Sequence, residues 1–434
     1  MRIDGERWIP LVMLGGVLVF GCANPHYRAD ACTDSAQCSG STPACDLNTL
    51  TCVQCTTAES SACSGTTPVC DEDHTCRPCR LDAECDSQVC GLSGGCLSTD
   101  EVLYVSPDGA GTECTASQPC LFKAAVAAFT PQRSALKLSP GTHRGAVSIG
   151  DNQRLEIYGN EADLTRDDAG PVMSAQGRAE LVVVGLRIHN ATGVGLGHGV
   201  VCNEVSGNRP SVTLYRTVID RNQEFGVYAV SCRLRLELGL VQANSSGGIA
   251  IADGDLTLAR STISGNTGGG VMVTYGSFMV VGNVFFANGN GVNYVGGISI
   301  ATTSGNMNRL EFNSFTRNLA QDGRGSAIHC TAGAFTARNN IMSDNGTLTN
   351  LEQMGGPCVH TYSIARPGSI PAGQSNSNKD PMFRNAAAGD LHLMPGSPAL
   401  GAADPDSDLA GPAEFDIDGD RRTGPADLGA DEVP

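Results

Sequence analysis

A repeat with a constant period constrains the fold of this chain more than any other feature of its sequence. Asparagines follow one another in steps of 22 residues at Asn222, Asn244, Asn266 and Asn288. Around each of them, a short apolar segment comes first, and a glycine-containing turn and a second apolar segment follow. A unit of this length can bury its apolar face only against copies stacked above and below it. The period therefore predicts a solenoid in which each repeat is one coil.

The apolar segments indicate which kind of solenoid this is. They hold inward positions in phase, as in the series Val227, Ile249 and Val271. Short strands that hydrogen-bond to neighbouring coils, about 4.8 Å away, would place such residues in buried columns. We therefore predict an all-β fold, a parallel β-helix. The asparagines are expected to form a structural ladder of amide hydrogen bonds, each at a left-handed bend, and to continue through Asn190, Asn318 and Asn345.

The beginning of this region resembles a known group of proteins. Residues 103–129 read as a strand, a loop and an Ala-rich helix, and residues 135–145 read as strand, turn and strand. The helix is expected to cap the open end of the coils, which would otherwise expose apolar side chains. This order resembles the start of right-handed β-helix proteins of the pectate-lyase-like superfamily. The resemblance implies a right-handed parallel β-helix over residues 101–434.

The end of the chain carries a second resemblance. DPMF at 380–383, DLHLMPGSPALGAADPD at 390–406 and DIDGDRRTGPADLGADE at 416–432 are similar to the closing segment of bacterial β-helix proteins of the choice-of-anchor Q type. The sequence departs from that pattern at Leu400-Gly401, where Ile-Asp is usual. The resemblance implies a C-terminal cap and an exported location. It implies no defined reaction, because this fold carries several chemistries.

Cysteines define a separate module. Of the 19 cysteines, twelve lie between Cys32 and Cys96 in three units of four, so residues 32–98 are predicted to be disulfide-rich repeats. The C-x-x-C pairs at 52–55 and 76–79 leave zinc binding as an alternative. The module resembles short Cys-rich repeats near the N-terminus of many bacterial surface lipoproteins. Six later cysteines are predicted to form the disulfides Cys114–Cys120, Cys202–Cys232 and Cys330–Cys358.

The N-terminus predicts export and anchoring. Arg2 and Arg7 accompany an apolar run that ends at Phe20 and is too short to span a bilayer. The run ends in Gly21-Cys22, which resembles the lipobox of bacterial lipoproteins. The resemblance implies a signal peptide over residues 1–21, lipidation of Cys22, a linker over 22–31 and, since Ala23 follows, an outer-membrane lipoprotein on the periplasmic or cell-surface side. An ordinary cleaved signal with a free Cys22 is the alternative.

The charge restricts the class of partner. The net charge is −17, and Lys123, Lys137 and Lys379 are the only lysines, so we do not expect the chain to bind nucleic acid. Anionic sugars are disfavoured as well unless a cation bridges them. The expected outward column of Tyr228, Ala250, Met272 and Ser299 contains no carboxylate cluster. This argues against a polysaccharide lyase of a known type.

A few side chains remain as weak catalytic candidates. His189, Asp220 and Arg221, with Arg187, precede Asn190 and Asn222 on what we expect to be adjacent coils. A histidine and a carboxylate at that distance can act as acid and base, whereas the alternative is an exposed Asp–Arg pair. His329 and His360 are interpreted as surface residues beside a disulfide. Tyr228, Tyr275 and Tyr294 are candidates for stacking on sugars, near irregular insertions at 197–211 and 289–296.

Calcium is the one cofactor that the sequence suggests. Asp416, Asp418 and Asp420 alternate on a C-terminal loop, and alternating carboxylates suit a hard cation. The alternative is that Asp416 and Asp418 bind Arg421, Arg422 and turn amides and so seal the last coil.

Two functions follow from these observations. The first is an exported, membrane-anchored lipoprotein whose β-helix binds glycan or another cell-surface partner. The second is a polysaccharide-active enzyme, a lyase or a hydrolase, with its site at the insertions. Titratable groups that converge between the insertions would favour the enzyme.

Overall fold

The computed structural model describes residues 31–293, 295–302, 308–333, 335–347, 350–368, 370 and 374–434. The predicted signal peptide, Cys22 and nearly all of the linker lie outside the described residues, as does Tyr294. The chain divides into two units between Leu97 and Ser98. Within the described ranges, no helix combines the length and the apolar character needed to cross a membrane.

The N-terminal unit is held by six disulfides in one repeated pattern. In each unit of four cysteines, the first bonds the third and the second bonds the fourth. The pairs are Cys32–Cys45, Cys38–Cys52, Cys55–Cys70, Cys63–Cys76, Cys79–Cys90 and Cys85–Cys96. The regular elements are the antiparallel strand pairs Ala44–Asp46 with Thr51–Val53 and Val69–Cys70 with Cys76–Arg77, and the 3-10 helices Ser35–Gln37, Ser60–Ala62 and Asp82–Glu84. All twelve cysteines are therefore used by disulfides.

The second unit is a right-handed parallel β-helix, which confirms the predicted fold class. Its coils build three parallel sheets, named A, B and C in the order in which each coil visits them. Strands Arg154–Thr165 and Glu180–His189 bend at the corner between the first two sheets and contribute to both. Each coil hydrogen-bonds to the next, so that side chains at equivalent positions form columns parallel to the helix axis.

The sheets are as follows. Beside the two bent strands, sheet A contains Val102–Val105, Ala135–Leu138, Ser211–Tyr215, Arg233–Glu237, Asp255–Ala259, Ser277–Val281, Arg309–Glu311, Thr336–Arg338 and Val359–Thr361. Sheet B adds Gly141–Arg144, Val218–Asp220, Leu240–Gln242, Thr262–Ser264, Val284–Phe286, Ser314–Thr316, Ile341–Ser343 and Ile364–Arg366. Sheet C has nine strands: Val147–Ile149, Met173–Gln176, Val200–Asn203, Phe225–Val230, Gly247–Ala252, Val271–Thr274, Ile298–Ala301, Ile328–Ala332 and Met354–Gly355.

The core lies inside the coils. Val227, Ile249 and Val271 pair in register on sheet C and are at most 1% exposed. Cys202 and Cys232 lie in the same core and are joined, and two further disulfides are Cys114–Cys120 and Cys330–Cys358.

The asparagine ladder runs along the corner between sheets B and C. Each Nδ2 group donates to the Oδ1 of the next asparagine, for example from Asn222 to Asn244 at 2.9 Å. The ladder continues through Asn318 and Asn345 and ends on Gln353.

The expected backbone conformation of the ladder was wrong by one residue. The left-handed residue is the one before each asparagine, as at Arg221 with φ 54° and Ala243 with φ 53°. Asn190 has φ 57° and occupies this preceding position, because its neighbour His189 pairs with Asp220. Ala191 therefore takes the place of an asparagine in that coil, and its N–H donates to Asn222 Oδ1 at 3.0 Å.

Two further segments pack against the coils of the β-helix. Helix Phe122–Ala128 packs against the first strand of sheet A, and its Phe122 and Ala125 are buried in the core. Residues after 380 pack on the outer faces of sheets A and B, along the side of the coils, in a second apolar cluster that includes Ile341 and Leu428. This segment has the antiparallel strands Phe383–Asn385 and Asp390–Leu393 and the 3-10 helices Ala386–Ala388 and Gly411–Ala413, and a further 3-10 helix, Thr99–Glu101, precedes the first coil.

Candidate functional site

The predicted acid–base group lies on the outer face of sheet B. The strand register places His189 beside Asp220 on adjacent coils. Asp220 is only 1% exposed, and its two oxygens accept hydrogen bonds from Arg187 Nε and Nη2 at 2.8 and 2.7 Å. Arg221 approaches the same carboxylate at 3.7 Å. The alternative to acid–base catalysis, an Asp–Arg pair, is therefore present. Its carboxylate, Asp220, is buried rather than exposed.

His189 is buried as well. Among the residues that the structure describes, neither of its ring nitrogens has a hydrogen-bond partner. Burial lowers the pKa of His189, and the positive charge of Arg187 lowers it further, so the ring is neutral at pH 7. A buried imidazole beside a carboxylate that Arg187 already holds gives acid–base catalysis no geometric support. Catalysis by His189, Asp220 and Arg221 stays a prediction.

Two consecutive carboxylates, Asp167 and Asp168, follow the strand Arg154–Thr165. Arg144 pairs with Asp167, and Arg166 donates to the two oxygens of Asp168 at 3.1 and 2.7 Å. The hydrogen bonds from Arg166 lower the pKa of Asp168. Both carboxylates are therefore paired with arginines.

The C-terminal loop offers the carboxylates that suggested calcium. Asp416 is fully buried, and its Oδ1 accepts hydrogen bonds from the backbone N–H groups of Asp418, Gly419 and Asp420 at 2.7 to 2.9 Å. Its Oδ2 accepts from the N–H of Glu432 at 2.9 Å. Turn amides therefore use the oxygens that a cation would need, as the alternative reading expects for Asp416. Within the described ranges, Asp416, Asp418 and Asp420 are not brought together as a group of metal ligands.

Asp418 instead belongs to a group with His392 and Asp431, whose ligand atoms lie within 4.8 Å of one another. His392 Nε2 lies 2.7 Å from Asp418, and its Nδ1 lies 2.5 Å from Asp390. The hydrogen bond to Asp390 is the main cause that raises the pKa of His392. These contacts are those of an imidazolium between two carboxylates, and they account for the group without a metal ion.

The two histidines beside the last disulfide differ from each other. His360 is not a surface residue, since it is 4% exposed and burial lowers its pKa to about 4. His329 is half-buried on the outer face of sheet C, beside Ser299 in the strand register. Its Nδ1 accepts from the N–H of Gly325 at 3.2 Å, so Nε2 carries the proton of the neutral ring.

An aromatic cluster is the most distinctive feature of the outer surface. His198, Phe225 and Tyr228 lie on sheet C and on the turn that leads into it. The His198 ring is nearly parallel to Tyr228, at 5.0 Å and 17°, and to Phe225, at 6.1 Å and 18°. Phe225 and Tyr228 are 6.0 Å apart. All three rings are half-buried, so each is held by its neighbours while part of it remains exposed to solvent.

The local sequence explains why the rings meet. Tyr228 points outward because Val227 and Ala229 on either side of it point into the core. The N–H of Phe225 donates to Nδ1 of His198 at 3.2 Å, which fixes the imidazole across the coil boundary. Burial lowers the pKa of His198, so the ring is neutral at pH 7 and its Nε2 is a donor.

The turn beside the cluster exposes two large apolar side chains. Residues 190–199 form a longer connection than in the next three coils, and Val194 and Leu196 on it are 86% and 55% exposed. Glu224 accepts hydrogen bonds from the N–H of Gly195 at 2.7 Å and from the hydroxyl of Ser246, which holds this turn in place. The predicted insertion at 197–211 is divided, because it contains the sheet C strand Val200–Asn203. Tyr275 is 66% exposed and lies outside the cluster.

Two outward columns of sheet C continue from the cluster towards the C-terminal coils. One outward column reads Tyr228, Ala250, Met272, Ser299 and His329 in register. The neighbouring outward column reads Val230, Ala252, Thr274, Ala301 and Ala332. We call these two columns together the axial lane. Neither column contains a carboxylate, a lysine or an arginine.

Fold and surface together define a right-handed parallel β-helix protein with a disulfide-rich N-terminal unit. Residues 198–364 match the family model described as right handed beta helix region. Residues 9–102 match a family of unknown function, DUF8331. No curated protein matches the chain.

Three solved structures are similar to the chain. The pectate lyase Pel9A is 15% identical over 78% of this chain and 98% of its own, with a TM-score of 0.45. XylC, solved in complex with xylose, is 9% identical over 69% of this chain and 65% of its own, with a TM-score of 0.44. The Dettilon tailspike protein is 11% identical over 60% of this chain and 69% of its own, with a TM-score of 0.21. Similarities of this size carry no argument about function.

Proposed function

We propose that this protein is an exported, membrane-anchored lipoprotein whose β-helix binds glycan at the aromatic cluster. The observation that carries the proposal is the ring stack of His198, Phe225 and Tyr228 on a solvent-facing sheet. Aromatic side chains supply large, rigid contact faces, and Tyr and His also have polar edges for hydrogen bonds. Sugar rings have the matching chemistry, with apolar C–H faces and hydroxyl groups at their edges.

The geometry of the cluster also limits the cost of binding. Each ring is already held by its neighbours, and the hydrogen bond from Phe225 N–H fixes His198. A ligand therefore loses little affinity to the ordering of these side chains. The strongly acidic chain keeps anionic competitors away from this surface unless a cation is present.

Export and anchoring are proposed on separate grounds. Nine disulfides in the described residues fit an oxidising compartment. Lipidation of Cys22 would hold the chain at a membrane, and the outer membrane is the one that we propose. Replacement of Cys22 by Ser should move the protein from the membrane fraction to the soluble fraction and remove the acyl mass from its N-terminal peptide. A Cys22→Ser chain that stays in the membrane would disprove this anchor.

Glycan binding can be tested on the purified full chain with an array of neutral and uronic oligosaccharides. Tyr228→Ala should weaken binding of the retained glycan by about tenfold or more, which corresponds to about 1.4 kcal/mol. Tyr275→Ala is the matched control, because Tyr275 is exposed and lies outside the cluster. Equal effects of both substitutions, or no retention of any glycan, would contradict the proposal. Release of unsaturated uronates or new reducing ends would replace it with the enzyme function.

A further inference from the structure

We propose that His392, Asp418 and Asp431 bind one zinc ion in the C-terminal segment. The inference goes beyond the proposed function, because these residues belong to the segment that packs on sheets A and B, whereas the aromatic cluster lies on sheet C. It rests on three observations: the arrangement of the ligand atoms, a carboxylate that orients the histidine, and a buried carboxylate without a cationic partner.

The strand Asp390–Leu393 presents His392 on the face away from the core. Leu391 and Leu393 are at most 5% exposed and belong to the second apolar cluster. Because neighbouring side chains of a strand point to opposite faces, Asp390 and His392 share the other face, and His392 Nδ1 lies 2.5 Å from Asp390. In the neutral ring, an Nδ1 proton donated to this carboxylate leaves the lone pair of Nε2 free for a metal ion, which is how histidine ligands are commonly oriented.

Two further carboxylates complete the group. Asp418 lies 2.7 Å from Nε2 of His392, and the ligand atoms of His392, Asp418 and Asp431 all lie within 4.8 Å of one another. Zinc binds nitrogen and carboxylate oxygen at about 2.0 to 2.2 Å, which separates two ligand atoms by about 3.4 Å in a tetrahedron. Shifts of about 1 Å therefore bring the three atoms to bonding distance of one ion. The exposed side chain of Asp418 is free to make such a shift.

Asp431 is an independent sign that the group lacks a cation. Its side chain is nine-tenths buried, at 6% exposure. Its Oδ2 accepts a hydrogen bond from the N–H of Leu393 at 2.7 Å, which fixes the position of the carboxylate. Among the residues that the structure describes, Oδ1 accepts no hydrogen bond, and no arginine or lysine forms an ion pair with Asp431.

The other buried carboxylates in the described part of the chain differ from Asp431. Each of them either pairs with an arginine or accepts hydrogen bonds on both oxygens. The first kind comprises Asp220, Glu237, Glu311 and Glu432, and the second kind comprises Asp46, Asp416 and Asp427. A buried charge without a partner costs stability, so a bound cation would give Asp431 what the others obtain from arginines or donor groups.

The zinc ion takes the place of a proton. Without metal, the short contact from His392 to Asp418 is that of an imidazolium N–H and a carboxylate. When zinc binds Nε2, the N–H bond at Nε2 breaks, its proton passes to solvent, and the Nδ1 proton stays hydrogen-bonded to Asp390. Zinc suits this set because it accepts imidazole nitrogen beside carboxylate oxygen, whereas calcium takes oxygen ligands. The bound ion would join the strand Asp390–Leu393 to the later loop and to Asp431.

Calorimetric titration of zinc into the purified, untagged full chain, after treatment with a chelator, tests the site. We expect one zinc ion to bind at this site, and His392→Ala should abolish that binding. Asp418→Asn and Asp390→Asn should each weaken it at least tenfold. Asp420→Asn is the matched control and should leave the affinity unchanged, since Asp420 is an exposed carboxylate of the same loop outside the group.

Hydrogen exchange gives a second readout that does not depend on the heat of binding. Zinc should slow the exchange of backbone amides in Asp390–Leu393 and in residues 416–432 of the unchanged chain. The same amides in Asp418→Asn should respond less at equal zinc concentration, and this variant is expected to fold because Asp418 is exposed. Calcium at that concentration should neither slow them nor displace zinc.

Four results would overturn the inference. The first is a chain that binds no zinc, and the second is zinc binding that persists unchanged in His392→Ala. The third is an equal loss of affinity in Asp420→Asn and Asp418→Asn, which would place the ion among the loop aspartates. The fourth is displacement of zinc by calcium, which would show that nitrogen is not a ligand. None of these results bears on glycan binding, which Tyr228→Ala tests separately.

Discussion

The side-chain amide of Asn244 donates to Oδ1 of Asn266 at 3.0 Å, and the backbone N–H of Asn244 donates to the same oxygen at 3.1 Å. The side-chain oxygen of Asn266 therefore accepts two hydrogen bonds from the neighbouring coil. Asn266 in turn donates through Nδ2 to Val241 O at 3.0 Å and to Asn288 Oδ1 at 2.9 Å. The asparagine column is a continuous chain of buried hydrogen bonds, in which every member depends on its neighbours.

Asn266→Ala is expected to lower the free energy of unfolding by about 3 kcal/mol, because it leaves buried donors and acceptors on two coils without partners. Asn190→Ala is the matched control. Asn190 is exposed, and Ala243 adopts the same left-handed conformation at the equivalent position of a later coil, so this change should cost less than about 1 kcal/mol. Denaturant titration with the disulfides intact measures both values. Equal costs would contradict a special role for the ladder.

Arg422 is expected to be essential for the C-terminal segment. Its side chain is fully buried, donates to Gly429 O at 2.9 Å and to Glu432 at 3.2 Å, and lies over the Phe312 ring at 4.6 Å. Arg422→Ala should cost about 3 to 5 kcal/mol, since the half-removed pair leaves Glu432 buried without its cation.

The neighbouring Arg421 is the control for this prediction. Its side chain is 69% exposed and pairs with Glu414 at 3.1 Å, so Arg421→Ala should cost less than about 1 kcal/mol. Hydrogen exchange of residues after 380 reports on the segment directly. Faster exchange there in Arg422→Ala but not in Arg421→Ala is the expected result, and unchanged exchange in both variants would disprove this role of Arg422.

His360 is expected to make the protein less stable in acid. Burial lowers its pKa from 6.5 to about 4, so between these values the unfolded chain binds a proton that the folded chain does not. Stability should therefore fall as the pH drops through this window, by up to about 3 kcal/mol from this group, and stop falling below it. His360→Leu should flatten the acid limb of the stability curve between pH 6.5 and pH 4.

His392 acts with the opposite sign and serves as the comparison. Because the hydrogen bond to Asp390 raises its pKa, its contribution is complete below its unfolded pKa of about 6.5 and is lost as the pH rises through the folded value. His392→Gln should therefore change the stability curve above pH 6.5 and leave the acid limb in place. An acid limb that disappears in His392→Gln and persists in His360→Leu would contradict this assignment.

The sequence allowed the fold to be predicted, because the ladder residues Asn222 to Asn288 keep a constant step and one residue type. A second ladder could not be predicted from the sequence. It runs along the corner between sheets A and B, where Ser261 N–H donates to Asn283 Oδ1 at 2.9 Å and Asn283 N–H donates to Asn313 Oδ1 at 3.0 Å. It mixes serine with asparagine and crosses coils of unequal length, so no constant period reveals it.

The candidate site was predicted only in part. Tyr228 was recognised as outward-facing from the alternation of its strand, but His198 was not recognised as its partner. Their contact depends on the long connection at 190–199 and on the register of two coils of different length, neither of which a period of 22 defines. The acid–base hypothesis correctly placed His189 beside Asp220, yet the sequence did not show that Arg187 holds the carboxylate.

The structure of the full chain in complex with a bound oligosaccharide tests the central claim most directly. The account predicts one sugar ring stacked on the exposed faces of Tyr228 and His198. A sugar bound elsewhere on the β-helix, with the three rings of the cluster untouched, would contradict it.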